Sequence, residues 1–151
     1  MNKRYDTTSA LVRYIAGVFS LVAFVMLFGT ILYSNSGLHY NFAETFFGKN
    51  DILQPHVYGF IGQLLILFGG VFGVLIPIFG VFTEKEKTLS FVTGGILIVA
   101  ALLIASLRIF VPIIEGSTEF NQFHIYGTAI AAASLSLVAG AFNIWAAFIK
   151  E

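Results

Sequence analysis

Four long apolar runs constrain this chain more than any other feature of its sequence. Residues 14–33, 57–82 and 125–149 contain no charged side chain, and residues 88–114 contain only Arg108. A helix crosses the roughly 30 Å of membrane hydrocarbon with about 20 apolar residues. Backbone amides in lipid must pair within the structure, and the alternating pattern of a barrel strand is absent. The four runs therefore predict four membrane-spanning helices.

These runs define the expected fold class, which is an all-α polytopic membrane protein. Because the connections are short, neighbouring helices should be antiparallel and form an up-down-up-down four-helix bundle. We expect a single domain over residues 1–151, with helices at about 10–34, 57–82, 88–114 and 124–149. The composition agrees, since 58% of the residues are hydrophobic and only 11% are charged. That leaves too little polar surface for a soluble fold of this kind.

The positions of lysine and arginine predict how the bundle is oriented. Lys49 and Arg108 fall on one side of the predicted membrane, and the other six basic residues fall on the opposite side: Lys3, Arg4, Arg13, Lys85, Lys87 and Lys150. By the positive-inside rule, both termini and the turn at 83–87 are cytoplasmic. With no sign of a processed signal, this bias suits a bacterial plasma membrane. The net charge of zero gives no indication of nucleic-acid binding.

Two of the runs open with nearly the same four residues. His56-Val57-Tyr58-Gly59 begins the second run, and His124-Ile125-Tyr126-Gly127 begins the fourth. Their equivalent positions suggest a tandem duplication of a two-helix hairpin, as in membrane proteins built from parallel repeats. A chance match of four positions is the alternative.

The second helix is rich in glycine at steps of three, four and seven residues. Lipid gives no hydrophobic drive to helix association, so close backbone approach at small residues supplies the packing contact. We expect one packing seam formed by Gly59, Gly62, Gly69, Gly73 and Gly80.

The outer segment, residues 35–56, contains a signal for a short helix. Asn41 and Glu44 have the spacing of a capping box, and Gly48 can end the helix. The helix should lie at the outer membrane interface. Its aromatic residues either anchor its depth or dock a partner protein.

The polar residues at the outer end form the candidate ligand site. His56 and His124 begin diagonal helices, and two histidines from different helices are a ligand set for haem b. Tyr58, Tyr126, Arg108 and Glu115 could complete a site for haem, quinone or lipid. In the alternative interpretation, the histidines are interfacial polar residues and Arg108 snorkels to the surface with Glu115 or Glu119 as its partner.

No residue pattern predicts catalysis. Cysteine is absent, which excludes thiol chemistry, and no Ser-His-Asp set, phosphate-binding loop or zinc motif occurs. We therefore predict that the protein is not an enzyme and that it has no catalytic residue, metal site or cofactor. We expect an accessory or structural subunit that contacts the lipid bilayer and packs with itself or other membrane proteins. A haem-, quinone- or lipid-binding bundle is the first alternative, and a small channel or permease is the second.

Overall fold

The computed structural model describes residues 7–50, 52–79, 86–116 and 123–149, and it is mostly helical. Within these residues, four helices are long and apolar enough to cross a membrane, which agrees with the sequence prediction: α1, α3, α4 and α6. The elements in chain order are α1 (Thr7–Met26), β1 (Thr30–Ser34), β2 (His39–Asn41), α2 (Phe42–Phe47), α3 (Val57–Phe79), α4 (Glu86–Ala105), α5 (Leu107–Ile114), β3 (Phe123–Ile125) and α6 (Gly127–Phe148).

The four long helices form a ring in which each contacts two neighbours. Helix α1 packs against α3 and α6, and α4 packs against the same two helices. Small side chains such as Ala16, Ala23 and Ala139 are buried between them, whereas Val25 and Leu102 are more than 60% exposed on the outside. A helix that is apolar on its exposed face as well as its buried face is typical of a membrane span. The outer surface of the ring is therefore suited to lipid.

The glycines of α3 lie at two interfaces, so the prediction of one seam was wrong. Gly62 and Gly69 face α4, where a Cβ on Gly69 would lie 2.5 Å from Leu97. Gly73 faces α1, where its Cβ would lie 3.0 Å from the Cα of Gly17. Helix α3 thus uses glycine to approach both neighbours, because its backbone lies between them.

The remaining two glycines of the predicted seam do not contribute to it. Gly59 faces the short helix α2, where an added Cβ would lie 2.5 Å from the Phe46 ring. Gly80 lies outside the described residues.

A three-stranded antiparallel sheet caps one end of the ring, and the all-α prediction missed it. The strand order is β2-β1-β3, so a hairpin that follows α1 pairs with the strand that precedes α6. The predicted first helix, 10–34, instead ends at Met26, and the predicted fourth helix begins three residues late, at Gly127. Leu32 and Tyr40 are paired and buried in the same core cluster as Ile66 and Ala132. Because the sequence predicts that this end of the bundle lies outside the cell, we call this sheet together with α2 the outer cap.

Helix α2 confirms the predicted capping box. The backbone N–H of Glu44 donates to Oδ1 of Asn41 at 2.9 Å, and the N–H of Asn41 donates to Oε2 of Glu44 at 3.1 Å. Gly48 ends the helix with a φ of +90°, which only glycine adopts readily. Phe46 is fully buried, so α2 is attached to the core.

The predicted third helix, 88–114, is two helices with a break at Ser106. The hydroxyl of Ser106 donates to the carbonyl of Leu103 at 2.7 Å, a local bond that bends helices. Pro112 then lies inside α5, where it cannot donate to the carbonyl of Arg108. The continuous apolar run therefore forms two helices, α4 and α5, rather than one.

Candidate functional site

His56 is the most deeply buried member of the predicted site. It precedes α3, has no exposed surface, and its backbone N–H donates to the carbonyl of Thr45 at 3.1 Å. Its Nε2 lies 3.1 Å from Oε1 of Glu115, and its Nδ1 lies 3.3 Å from the hydroxyl of Tyr58. Both ring nitrogens therefore have protein partners.

Glu115 joins three segments of the chain at this point. It follows α5 directly, and its Oε1 also accepts the backbone N–H of Gln54 at 2.7 Å. The carboxylate therefore links the α2–α3 connection to the end of α5. The three predicted residues that the structure brings together are His56, Tyr58 and Glu115.

The protonation of this cluster follows from its geometry. A neutral imidazole that donates from Nε2 to Glu115 can accept the Tyr58 hydroxyl proton at Nδ1, so one tautomer satisfies both contacts. Burial lowers the pKa of His56 and outweighs the neighbouring carboxylate, which acts in the opposite direction. Because the ordinary pKa is 6.5, His56 is neutral at neutral pH. Its ring therefore does not cancel the negative charge of Glu115.

His124 and Tyr126 belong to a different cluster, on the exposed face of the cap sheet. Tyr33 is paired in register with His39 on one side and His124 on the other, with ring centroids 6.3 Å and 5.0 Å away. Tyr126 packs edge-on against both Tyr33 and His39. Nε2 of His124 lies 2.8 Å from Oδ1 of Asn35. We call the rings of Tyr33, His39, His124 and Tyr126 the ring row.

The two histidines of the sequence repeat therefore have different surroundings. His56 lies buried in a connection, and His124 lies in a strand on the cap surface. A haem iron bound by both would have to displace Glu115 or Tyr58 from His56, and the ring of His124 would have to leave Tyr33 or expose its other nitrogen. The geometry does not support the bis-histidine hypothesis.

Arg108 lies on α5, the helical segment before Glu115 in the chain. It is partly exposed on α5 and has an interaction of its own. The hydrogen bonds described for Glu115 go to Gln54 and His56, and the pairing of Arg108 with an acidic residue stays a prediction.

Beside Glu115 lies a polar surface cavity of about 680 Å³. It is lined by Glu115 and by described residues of the α2–α3 connection, at 47–50 and 52–55, which include Lys49. Lys49 is 40% exposed and pairs with Oε1 of Glu44 at 2.8 Å. Among the described residues, no three His, Asp or Glu side chains are grouped closely enough to hold a metal ion.

Sequence reasoning missed several residues of both clusters. Thr45 and Gln54 contribute through their backbones, which no side-chain pattern reveals. Tyr33, His39 and Asn35 belong to a hairpin whose signal was present, because the polar turn from Ser34 to Gly37 follows a strand-like run.

No family model matches the chain, and no curated protein or solved structure is significantly similar to it. The fold and the two clusters define a mostly helical chain with four potential membrane spans, an outer cap and no group of metal ligands in its described part. Its function is therefore argued from these clusters.

Proposed function

We propose that this chain is a non-enzymatic, multi-pass membrane protein that serves as an accessory subunit of a larger or self-associated membrane complex. The observation that carries the proposal is the ring row, four aromatic and imidazole rings on an exposed sheet face. The cap that holds it shares a hydrophobic core with the spanning helices. It is therefore a rigid surface rather than a loose loop.

Contacts between helix ends support an up-down-up-down bundle. Ser9 near the start of α1 donates to the carbonyl of Ala146 near the end of α6 at 3.2 Å, and Thr128 at the start of α6 donates to the carbonyl of Thr30 after α1 at 2.8 Å. Ser90 near the start of α4 likewise bonds the carbonyl of Asn143. With the positive-inside rule, this arrangement gives cytoplasmic termini and an outer cap, in the plasma membrane of a bacterium.

The chemistry of the ring row favours a protein partner. Tyrosine offers a large rigid surface and a hydroxyl, so it is enriched where proteins bind each other. His39 and Tyr126 are exposed, and no charged side chain is among the contacts described for the four rings. The alternative is that the ring row is an aromatic belt at the lipid headgroups. An experiment must distinguish this belt from a protein-binding surface.

The His56 cluster favours a structural role over catalysis. General acid–base catalysis needs a titratable group within reach of substrate. The His56 ring is fully buried, and both of its nitrogens contact protein groups. We therefore assign this cluster to holding the outer connection, and no catalytic residue is proposed.

Native mass spectrometry after gentle extraction from the native membrane tests the proposal. The wild type should be recovered with other membrane polypeptides or as a defined oligomer. The double variant His39→Ala/Tyr126→Ala should lose that association and remain folded, because both side chains are exposed. Phe68→Ala is the matched control, since this ring is 55% exposed on α3 and lies away from the cap.

Two results would contradict the proposal. If the wild type is recovered as a monomer without protein partners, the accessory-subunit role fails. If Phe68→Ala disrupts the association as strongly as the double variant does, the ring row is not the contact surface.

A further inference from the structure

The cavity beside Glu115 lies where helix α5 ends and helix α3 begins. Helix α5 ends one residue before Glu115, and α3 begins two residues after Pro55, so the cavity lies at the junction between apolar helices and the cap. If the four long helices cross a membrane, as proposed above, this junction is at the depth of the lipid headgroups. Phe47 and Ile52, both more than half exposed, line the same cavity.

The two charged walls of the cavity have opposite signs. Glu115 supplies a carboxylate whose described hydrogen bonds all go to Oε1, and its side chain is 11% exposed. Lys49 supplies an ammonium that pairs with Oε1 of Glu44 at 2.8 Å and lies 5.7 Å from the centroid of the Tyr40 ring. An ammonium has three N–H donors, so the pairing with Glu44 occupies only part of its donor capacity.

The walls are held in position before any ligand binds. The N–H of Lys49 donates to the carbonyl of Leu53 at 2.8 Å, and the N–H of Leu53 donates back to the carbonyl of Lys49 at 3.0 Å. Gly48, with its positive φ, packs against Leu53 and Pro55. Glu115 is fixed by Gln54 and His56. A preorganised site loses less conformational entropy on binding.

We propose that this cavity binds the headgroup of a phospholipid that carries both a primary ammonium and a phosphate. The ammonium would donate to Glu115, and the phosphate would accept from Lys49, as charge-assisted hydrogen bonds. The exposed Phe47 and Ile52 would lie against the glycerol and acyl regions. A small soluble cation would use the carboxylate alone and leave the lysine and the apolar wall without a role.

The test compares lipids that differ only in the headgroup. Wild-type protein is reconstituted in nanodiscs with equal amounts of phosphatidylethanolamine, phosphatidylcholine and phosphatidylglycerol, extracted in mild detergent, and analysed for retained lipid by mass spectrometry. Phosphatidylethanolamine should be retained about tenfold over the other two. Phosphatidylcholine lacks an ammonium proton, and phosphatidylglycerol lacks the ammonium.

Glu115→Gln should abolish this preference, and Lys49→Gln should lower the retention of all three lipids, because the phosphate is common to them. Glutamine at 115 can still accept from Gln54 and His56, so the fold should survive, which circular dichroism checks. His39→Gln is the control, because His39 is an exposed residue of the cap that does not line the cavity. It should retain the wild-type preference.

The outcomes separate this inference from the proposed function on which it rests. Equal retention of the three lipids by the wild type, or an unchanged preference in folded Glu115→Gln, would overturn the lipid site and leave the membrane assignment intact. A chain that stays in the aqueous fraction without detergent would overturn the membrane assignment itself.

Discussion

Gly94 on α4 and Gly140 on α6 meet backbone to backbone. A Cβ added to Gly94 would lie 2.7 Å from the carbonyl oxygen of Gly140, and one added to Gly140 would lie 2.8 Å from the carbonyl oxygen of Gly94. Backbone cannot move aside as a flexible side chain does. This reciprocal contact explains how α4 and α6 approach closely in a bundle that gains no hydrophobic drive from lipid.

Gly94→Ala should therefore separate α4 from α6. Alanine favours a helix over glycine by about 1 kcal/mol, but overpacking typically costs about 1–3 kcal/mol. We expect a net loss of about 1 kcal/mol in the free energy of unfolding, measured by denaturant titration in detergent micelles.

The adjacent Gly95 provides the matched control. An added Cβ at Gly95 meets no atom within 4 Å, so Gly95→Ala should be neutral or should stabilise the protein by up to about 1 kcal/mol. Equal effects of the two substitutions would contradict the Gly94–Gly140 contact.

The buried His56 should make stability depend on pH. Because burial lowers its folded pKa below the ordinary 6.5, the unfolded state binds a proton that the folded state rejects. The free energy of unfolding is highest above pH 6.5 and falls as the pH decreases towards the lowered pKa, by at most about 1.4 kcal/mol per pH unit.

Comparison of thermal unfolding at pH 7.5 and pH 5.5 checks this dependence. His56→Gln removes the titrating ring, so its unfolding temperature should differ less between the two pH values than that of the wild type. His39→Gln leaves His56 in place and should keep the wild-type difference. A His56→Gln protein with the full pH dependence would show that another group is responsible.

The presence of four potential spans could be predicted because it follows from length and composition alone. The end of the first helix could not, because residues after Met26 are as apolar as those before it. Thr30–Ser34 pairs with the nearby strand His39–Asn41 on one side and, on the other, with Phe123–Ile125, about 90 residues away in sequence. A local sequence pattern cannot predict pairing with a strand so far away. The polar turn from Ser34 to Gly37 indicated only the hairpin.

In the site, too, contacts between residues close in sequence could be predicted, and contacts between distant residues could not. The capping box was predictable because Asn41 and Glu44 are three residues apart. The hydrogen bonds of Glu115 to Gln54 and His56 could not be predicted, because those residues are about 60 positions away in sequence. Only the folded connection between α2 and α3 brings those groups together. The repeat suggested equivalent roles for His56 and His124, but surroundings, not local sequence, decide what each contacts.

The capping box gives a prediction for the outer cap. Asn41→Ala removes the side chain that accepts the N–H of Glu44, and loss of such a cap costs about 1 kcal/mol. Hydrogen exchange should increase in α2 without increasing in α4. Asn41→Ser can still cap and should keep exchange near the wild-type rate, whereas equally fast exchange in both variants would argue against a capping role.

Cysteine labelling in intact cells tests the proposed orientation. The chain has no natural cysteine, so a single substitution gives an unambiguous signal. Asn50 is exposed on the outer connection, and Lys87 is exposed at the start of α4, at the opposite end of the ring. A membrane-impermeant maleimide should label Asn50→Cys in intact cells and Lys87→Cys only after permeabilisation, because the positive-inside rule places Lys87 in the cytoplasm. The reverse pattern would invert the bundle and place the ring row and the Glu115 cavity on the cytoplasmic side.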